Sequence, residues 1–378
     1  MITRSILQGE DHRLIRETAR AYCEREIAPR HAEWEKQGFV PPGAWRRVGE
    51  LGLLCMTMPV EYGGSGLDFG ASAILIEELA RVGATGPGFA LHSDIVAQYL
   101  LHHASDALKA TWLPQMATGR KIAAIAMTEP GTGSDLQAVR TRAVRSGDDY
   151  VLNGSKTFIT NGQTADFVVV VARTGEEGGK GVSLLLVEAD RSGFRRGRNL
   201  EKIGMKAQDT SELFFDDVRI PTGNLIGDEN QGFAYLMMGL PQERLIIALT
   251  AVAAAEAALE ETVRYARERT AFGKSILDFQ NTRFVLARAK AEIAACRAFV
   301  DHCLAAHIDG RLDVATAAAA KLIATEMQNR VLDQFLQLHG GYGYMWEYSI
   351  ARAWADARAQ RIYGGANEIM LELIARTL

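Results

Sequence analysis

The spacing of apolar positions changes twice along the chain. Over residues 1–120 it is helical. In Asp11–Ile27 the positions Leu14, Ile15, Thr18, Ala19, Tyr22 and Cys23 fall at the i, i+3, i+4 intervals of one helix face. Pro29 is expected to end that helix, because proline cannot donate to the helical ladder. Ala71–Val82 and Asp94–His103 read as two further helices, and Pro59–Gly66 reads as the loop between them.

Over residues 121–227 the pattern shortens into β-rich runs: Ile122–Met127, Phe167–Ala172, Val182–Val187 and Glu212–Ile220. Asn153-Gly154, between Tyr150–Leu152 and Ser155–Ile159, predicts a hairpin, since Asn-Gly supplies the positive φ of a type I′ turn. Over residues 228–378 the chain is alanine-rich, with long helices expected at Pro241–Arg269, Phe279–Ala306, Asp313–Leu338 and Ile350–Ala359. Pro241 is expected in a first helical turn, where its missing N–H costs least. Gly310 and Gly340-Gly341 mark breaks, and short connections between long helices predict an antiparallel bundle. The expected fold is α+β and multidomain: an N-terminal α-helical domain, a middle β-barrel or sandwich, and a C-terminal four-helix bundle.

Composition narrows the function classes. With 42 basic against 46 acidic residues, the chain lacks the basic surplus that drives phosphate binding, so no nucleic-acid partner is expected. Cys23, Cys55, Cys296 and Cys303 form neither a CxxC pair nor a metal-ligand spacing; buried thiols in a reducing compartment and no metal are expected. Residues 1–10 lack the basic and apolar regions of a secretory signal, and no apolar run reaches membrane-spanning length. A soluble, cytoplasmic protein is expected.

Local chemistry alone leaves alternatives open. Thr128–Asp135 is a glycine-rich polar loop after a β-run, either a ligand cradle or a turn. It lacks the third glycine of a dinucleotide fingerprint, and the chain has no HExxH, P-loop or nucleophile elbow. Arg269 reads as a solvated charge at a helix end, Phe272 as core, and Gly340-Gly341 as a helix stop. Glu243, beside Arg244, reads as a first-turn carboxylate favoured by the helix dipole.

Longer motifs carry a resemblance. Ala126–Asp135 (AMTEPGTGSD) is similar to the first signature of the acyl-CoA dehydrogenase family. Gln337–Gly343 (QLHGGYG), with Glu347, Arg352 and Asp356, resembles the second. Similarity continues through Glu61–Asp68, Asn153–Gly162, Lys202–Pro221, Arg267–Lys274 and Ile362–Ile369, and so covers essentially the whole chain. The resemblance implies an FAD cofactor, an acyl-CoA substrate, an electron-transfer flavoprotein as electron acceptor, and a homo-oligomer, a tetramer in preference to a dimer. It implies that Met127, Thr128, Gly133 and Ser134 contact the flavin and acyl-CoA, and that Phe158, Ile159 and Thr160 flank the isoalloxazine. Phe158 stands where the family often has tryptophan. Arg269, Phe272, Gln337, Gly340 and Gly341 would hold the cofactor of a neighbouring subunit. Leu91, Arg244, Tyr363 and Gly365 would lie along the substrate, with Ala366 and Glu368 near the cofactor.

One departure matters most. Many family members read Ile-Tyr-Glu-Gly-Thr near the C-terminus, and that glutamate is the catalytic base. Here the sequence is Ile362-Tyr363-Gly364-Gly365-Ala366, and glycine cannot take a proton. Leu240–Leu245 (LPQERL) instead resembles the long-chain and isovaleryl-CoA dehydrogenase branch, in which the base lies on this helix. The resemblance therefore implies Glu243 as base and the Gly364 N–H as a donor to the thioester oxygen, with space freed beside the reacting carbons. Competing readings are a non-catalytic acyl-CoA-binding subunit, a nucleic-acid-binding member of the fold, and a flavin oxidase using oxygen directly.

Overall fold

The computed structural model describes residues 4, 6–176 and 178–378. The N-terminal part holds α1 (Glu10–Tyr22), α2 (Ala28–Gln37), α3 (Pro42–Glu50), α4 (Phe69–Arg81), α5 (Ala97–His103) and α6 (Asp106–Ala117). Pro29 does not end the first helix. A π-helical turn, Cys23–Ile27, joins α1 to α2, and the chain stays helical until Gly38 takes a left-handed φ of 81°. The widened π ladder absorbs the missing donor of Pro29. A second π turn, Leu91–Val96, leads into α5 and overlaps the start of the run read as one helix from Asp94.

The middle part is one eight-stranded sheet: β1 (Ala123–Ala126), β2 (Arg142–Ser146), β3 (Asp149–Thr160), β4 (Phe167–Arg173), β5 (Val182–Glu188), β6 (Phe194–Asn199), β7 (Thr210–Pro221) and β8 (Leu225–Ile226). The strand order is β6-β7-β3-β2-β4-β5-β8, with β1 parallel to β4. Alternation explains why β4 is apolar throughout. Val168, Val170 and Ala172 enter the interior of the curled sheet with Leu185, Leu213 and Ile220. Phe167, Val169 and Val171 face the N-terminal helices, with the Phe167 ring 4.6 Å from that of Trp112.

Asn153-Gly154 is not a turn. β3 runs straight through it, and the hairpin turn is Gly147-Asp148, between the paired residues Ser146 and Asp149. Gly154 lies at a register shift against β7, where a Cβ would come 2.8 Å from Thr141 Cα. Glycine is needed there for close approach, as at other bulges.

The C-terminal part holds α7 (Gly232–Glu268), a small hairpin of β9 (Thr270–Ala271) and β10 (Lys274–Ser275), α8 (Gln280–Ile308), α9 (Val314–His339), α10 (Ser349–Gln360) and α11 (Asn367–Ala375). One core joins α7, α8, α9 and α10 to Phe69, Ala73 and Ile76 of α4. Because α7 begins at Gly232, Pro241 sits inside the helix rather than in its first turn. Asp356 of α10 pins the three parts together, accepting from Thr85 Oγ1 (2.8 Å) and from the Met205 backbone N–H. No helix among the described residues is long and apolar enough to cross a membrane.

Candidate active site

Glu243 lies 11 residues into α7, about three turns from its start, so the dipole of a first turn does not account for it. It is 9% exposed. Burial pushes its carboxyl up to about 7, because desolvation disfavours the charged form. A hydrogen bond from Tyr99 and the positive charge of Arg244 pull the other way. Tyr99 Oη, on α5, donates to Glu243 Oε1 at 2.9 Å.

The C-terminal loop closes on the same face. Gly364 adopts a left-handed φ of 67°, and a Cβ there would run into Ile247 Cδ1, one turn beyond Glu243. The space that a glycine was expected to free is therefore filled by Ile247. The next carbonyl, that of Gly365, accepts from Lys321 Nζ of α9 at 2.8 Å, and Asn367 Oδ1 accepts from the same ammonium at 2.7 Å. Lys321 is fully buried, and burial followed by the nearby charge of Arg244 lowers its pKa to about 8. Arg244 is also buried, which lowers its pKa, and its Nε has no partner among the described residues. Tyr363 is partly exposed, Gly365 and Ala366 half-buried, and Glu368 exposed on α11.

A second group forms at one end of the sheet. The Thr128 carbonyl accepts from the Thr157 N–H at 3.0 Å, bringing the Met127–Ser134 loop beside the end of β3. Buried Lys156 braces this junction, donating to the Met127 carbonyl and to Glu129 Oε1, each at 2.9 Å. At a register shift Phe158 is 67% exposed with a φ of 60°. An exposed aromatic on left-handed backbone is strained and marks a candidate binding position. Thr128 and Thr160 are half-buried beside it, Gly133 and Ser134 are exposed, and nothing stands within 4 Å of a Cβ at Gly131 or Gly133. The Ile159 side chain is committed to the sheet interior, which leaves only its backbone facing outward.

The two groups meet at the π turn. Asn161 packs against Gly88, the Ala123 N–H donates to His92 Nδ1 at 3.2 Å, and half-buried Leu91 opens the turn that leads into α5 and Tyr99. The third set is elsewhere. Arg269 caps the far end of α7, its guanidinium 5.7 Å from the Tyr342 ring, and Tyr265 stacks on His339 at 4.1 Å. Phe272 is not core: it is 95% exposed, and Gln337, Gly340 and Gly341 are exposed as well. Glu243 and Glu268 are 25 residues apart on one helix, roughly 38 Å.

Tyr99, Gly239, Ile247 and Lys321 escaped the sequence reading. The signal for Lys321 was a lone charge in the run Ala317–Ile323; Gly239, one turn before Glu243, was legible only as a gap in the helix surface.

Comparisons agree with this architecture. Models of the acyl-CoA dehydrogenase N-terminal, middle and C-terminal domains match residues 9–120, 124–218 and 230–378. The mitochondrial long-chain specific acyl-CoA dehydrogenase of Sus scrofa is 53% identical over 98% of this chain and 87% of its own. The crystal structure of an acyl-CoA dehydrogenase from Geobacillus kaustophilus superposes with a TM-score of 0.97 at 46% identity, covering 99% of both chains. A glutaryl-CoA dehydrogenase from Mycobacterium smegmatis, solved in complex with FADH2, is 28% identical with a TM-score of 0.91, over 98% of this chain and 95% of that one. The chain is an oxidoreductase acting on CH–CH bonds. It belongs to the acyl-CoA dehydrogenase family.

Proposed function

We propose that the chain converts a fatty acyl-CoA thioester to the trans-2-enoyl-CoA, with Glu243 as the base. The observation that carries the assignment is a carboxylate buried about three turns into α7, with its pKa raised to about 7, on the helix face whose Ile247 meets the loop of Gly364. A base whose pKa lies near the operating pH combines a useful ionised fraction with proton affinity. Glu243 would accept the α-proton. The Gly364 N–H would donate to the thioester oxygen, where charge develops as the proton leaves. Arg244 adds positive potential beside the carboxylate.

The residues around Phe158 fit FAD. Phe158 offers a ring, Thr128, Ser134 and Thr160 offer hydroxyls, and Gly131 and Gly133 leave open space. When bound, FAD supplies the two-electron acceptor for the β-hydrogen as hydride. An electron-transfer flavoprotein is the proposed acceptor of those electrons. A homo-oligomer, tetramer in preference to dimer, is the proposed assembly, with Arg269, Phe272 and Gln337–Gly341 serving a neighbour's cofactor; the roughly 38 Å along α7 between Glu243 and the Arg269 end supports that division. Medium to long acyl chains are the proposed substrates.

The test is anaerobic single-turnover mixing of the FAD-loaded enzyme with octanoyl-CoA and palmitoyl-CoA. Glu243→Gln is expected to keep the flavin spectrum and to slow flavin reduction by about 10²–10⁴-fold, the usual contribution of a positioned general base. Reduction at the parent rate would remove Glu243 from the mechanism.

A further inference from the structure

Glu243 does not stand alone in its pocket. Tyr99 reaches it from α5, 144 residues earlier in the chain, and is itself 4% exposed. Its ring crosses α7 one turn before Glu243, over Gly239. A Cβ at Gly239 would lie 2.5 Å from the tyrosine Oη and 3.0 Å from Cζ. Gly239 is an interior helix residue without positive φ, a position where alanine is ordinarily preferred. The absence of a side chain there makes a notch, and the tyrosine hydroxyl passes through it to the carboxylate. The preceding π turn sets the direction from which α5 presents the ring.

We infer that Tyr99, seated in the Gly239 notch, is a positioning residue for Glu243: its hydroxyl holds the carboxylate in one orientation and favours its proton-accepting form. This rests on the assignment of Glu243 as base. Two forces act on that carboxyl. Burial favours the neutral acid, which cannot take a proton. Donation from a phenol favours the carboxylate, and a hydrogen bond to an ionised group is stronger than one between neutral groups. The other groups around it do not duplicate this donor. Arg244 is adjacent on α7 and acts through its charge; Lys321 on α9 is committed to the Gly365 carbonyl and Asn367. Asp94 of the π turn is held by Ser72 Oγ at 2.5 Å, and His307 of α8 by Gln242 at 2.9 Å. The Gly364 loop brings no charge. Burial also pushes Asp94 up to about 7, so a direct titration must separate the two carboxyls.

The experiment measures the Glu243 carboxyl itself and then its use. Infrared titration of the FAD-loaded protein follows the carboxyl band that Glu243→Gln removes. In Tyr99→Phe, which deletes one oxygen, its midpoint is expected to rise by about one pH unit or more, the worth of a hydrogen bond to a charged group. The pH profile of flavin reduction by octanoyl-CoA should move alkaline by the same amount, with most of the rate recovered at high pH. Gly239→Ala should reproduce the shift with the hydroxyl still present, and should add little to Tyr99→Phe. An unmoved midpoint in Tyr99→Phe, with reduction lost in Glu243→Gln, overturns the role of Tyr99 and leaves the base in place. Loss of activity in Tyr99→Phe that no pH restores also overturns it, because a positioning group is not the proton acceptor. Reduction at the parent rate in Glu243→Gln overturns the base assignment, and the catalytic meaning of Tyr99 with it.

Discussion

Replacing Glu243 by glutamine has a second consequence, in stability, whose sign follows from burial. Folding raises the carboxyl from its ordinary 4.5 to about 7. For such a group the folded state binds the proton more tightly than the unfolded chain. Its contribution is therefore complete below pH 4.5 and is lost as the pH climbs through 7. Across that window each pH unit costs folding about 1.4 kcal/mol, about 3 kcal/mol in all. Glutamine does not titrate, is nearly isosteric, and its amide oxygen still accepts from Tyr99. Glu243→Gln should match the parent near pH 4.5 and exceed it by about 3 kcal/mol above pH 7.5. Urea unfolding of the two proteins at matched FAD, followed by far-UV circular dichroism from pH 4.5 to 8, measures the difference directly. Parallel curves, with a gap that does not widen with pH, would refute a buried carboxyl of raised pKa. A raised resting proton affinity at the expense of stability is the pattern expected of functional groups.

Moving the base to the C-terminal loop should work only when room is made for it. In Glu243→Ala, Gly364→Glu alone meets Ile247 Cδ1 and left-handed backbone, a strain of about 1–2 kcal/mol. Adding Ile247→Val, which removes that carbon, should raise single-turnover reduction above the double variant. Arg269→Ala should weaken FAD retention through loss of a charge-assisted partner of about 1.5–3 kcal/mol, checked by equilibrium dialysis and by sedimentation for the oligomer. Lys321→Met should leave the Gly365 carbonyl without its ammonium donor and Asn367 Oδ1 with only the long contact from Thr325 Oγ1 at 3.4 Å, cost about 1–3 kcal/mol in thermal unfolding, and lower kcat through a loosened Gly364 loop.

Local rules succeeded where the cause is local. A continuous β-branched run identified β4, and helical spacing identified α4, α7, α8 and α9 to within a few residues or turns. They failed where distant contacts override propensity. Asn153-Gly154 has turn chemistry, but pairing with β7 and the approach of Thr141 hold it in a strand. Pro29 signals a helix end and Pro241 a helix start, but a π turn accommodates one and a 37-residue helix packed on its neighbours tolerates the other in its interior. Glu243 was singled out as a candidate through motif resemblance. Its tyrosine partner was not, because no local pattern joins positions 144 residues apart.

The length of α7 has a consequence for how such a chain can vary. One unbroken rod carries Glu243 near one end and the Arg269–Phe272 corner at the other. Each residue of a helix adds about 1.5 Å and about 100° of rotation. A single insertion or deletion between them would turn the exposed corner to another side of the molecule while leaving the pocket intact. Substitutions on the surface of α7 can drift, but its residue count behaves like the tooth count of a gear, fixed by the alignment of two parts that never touch.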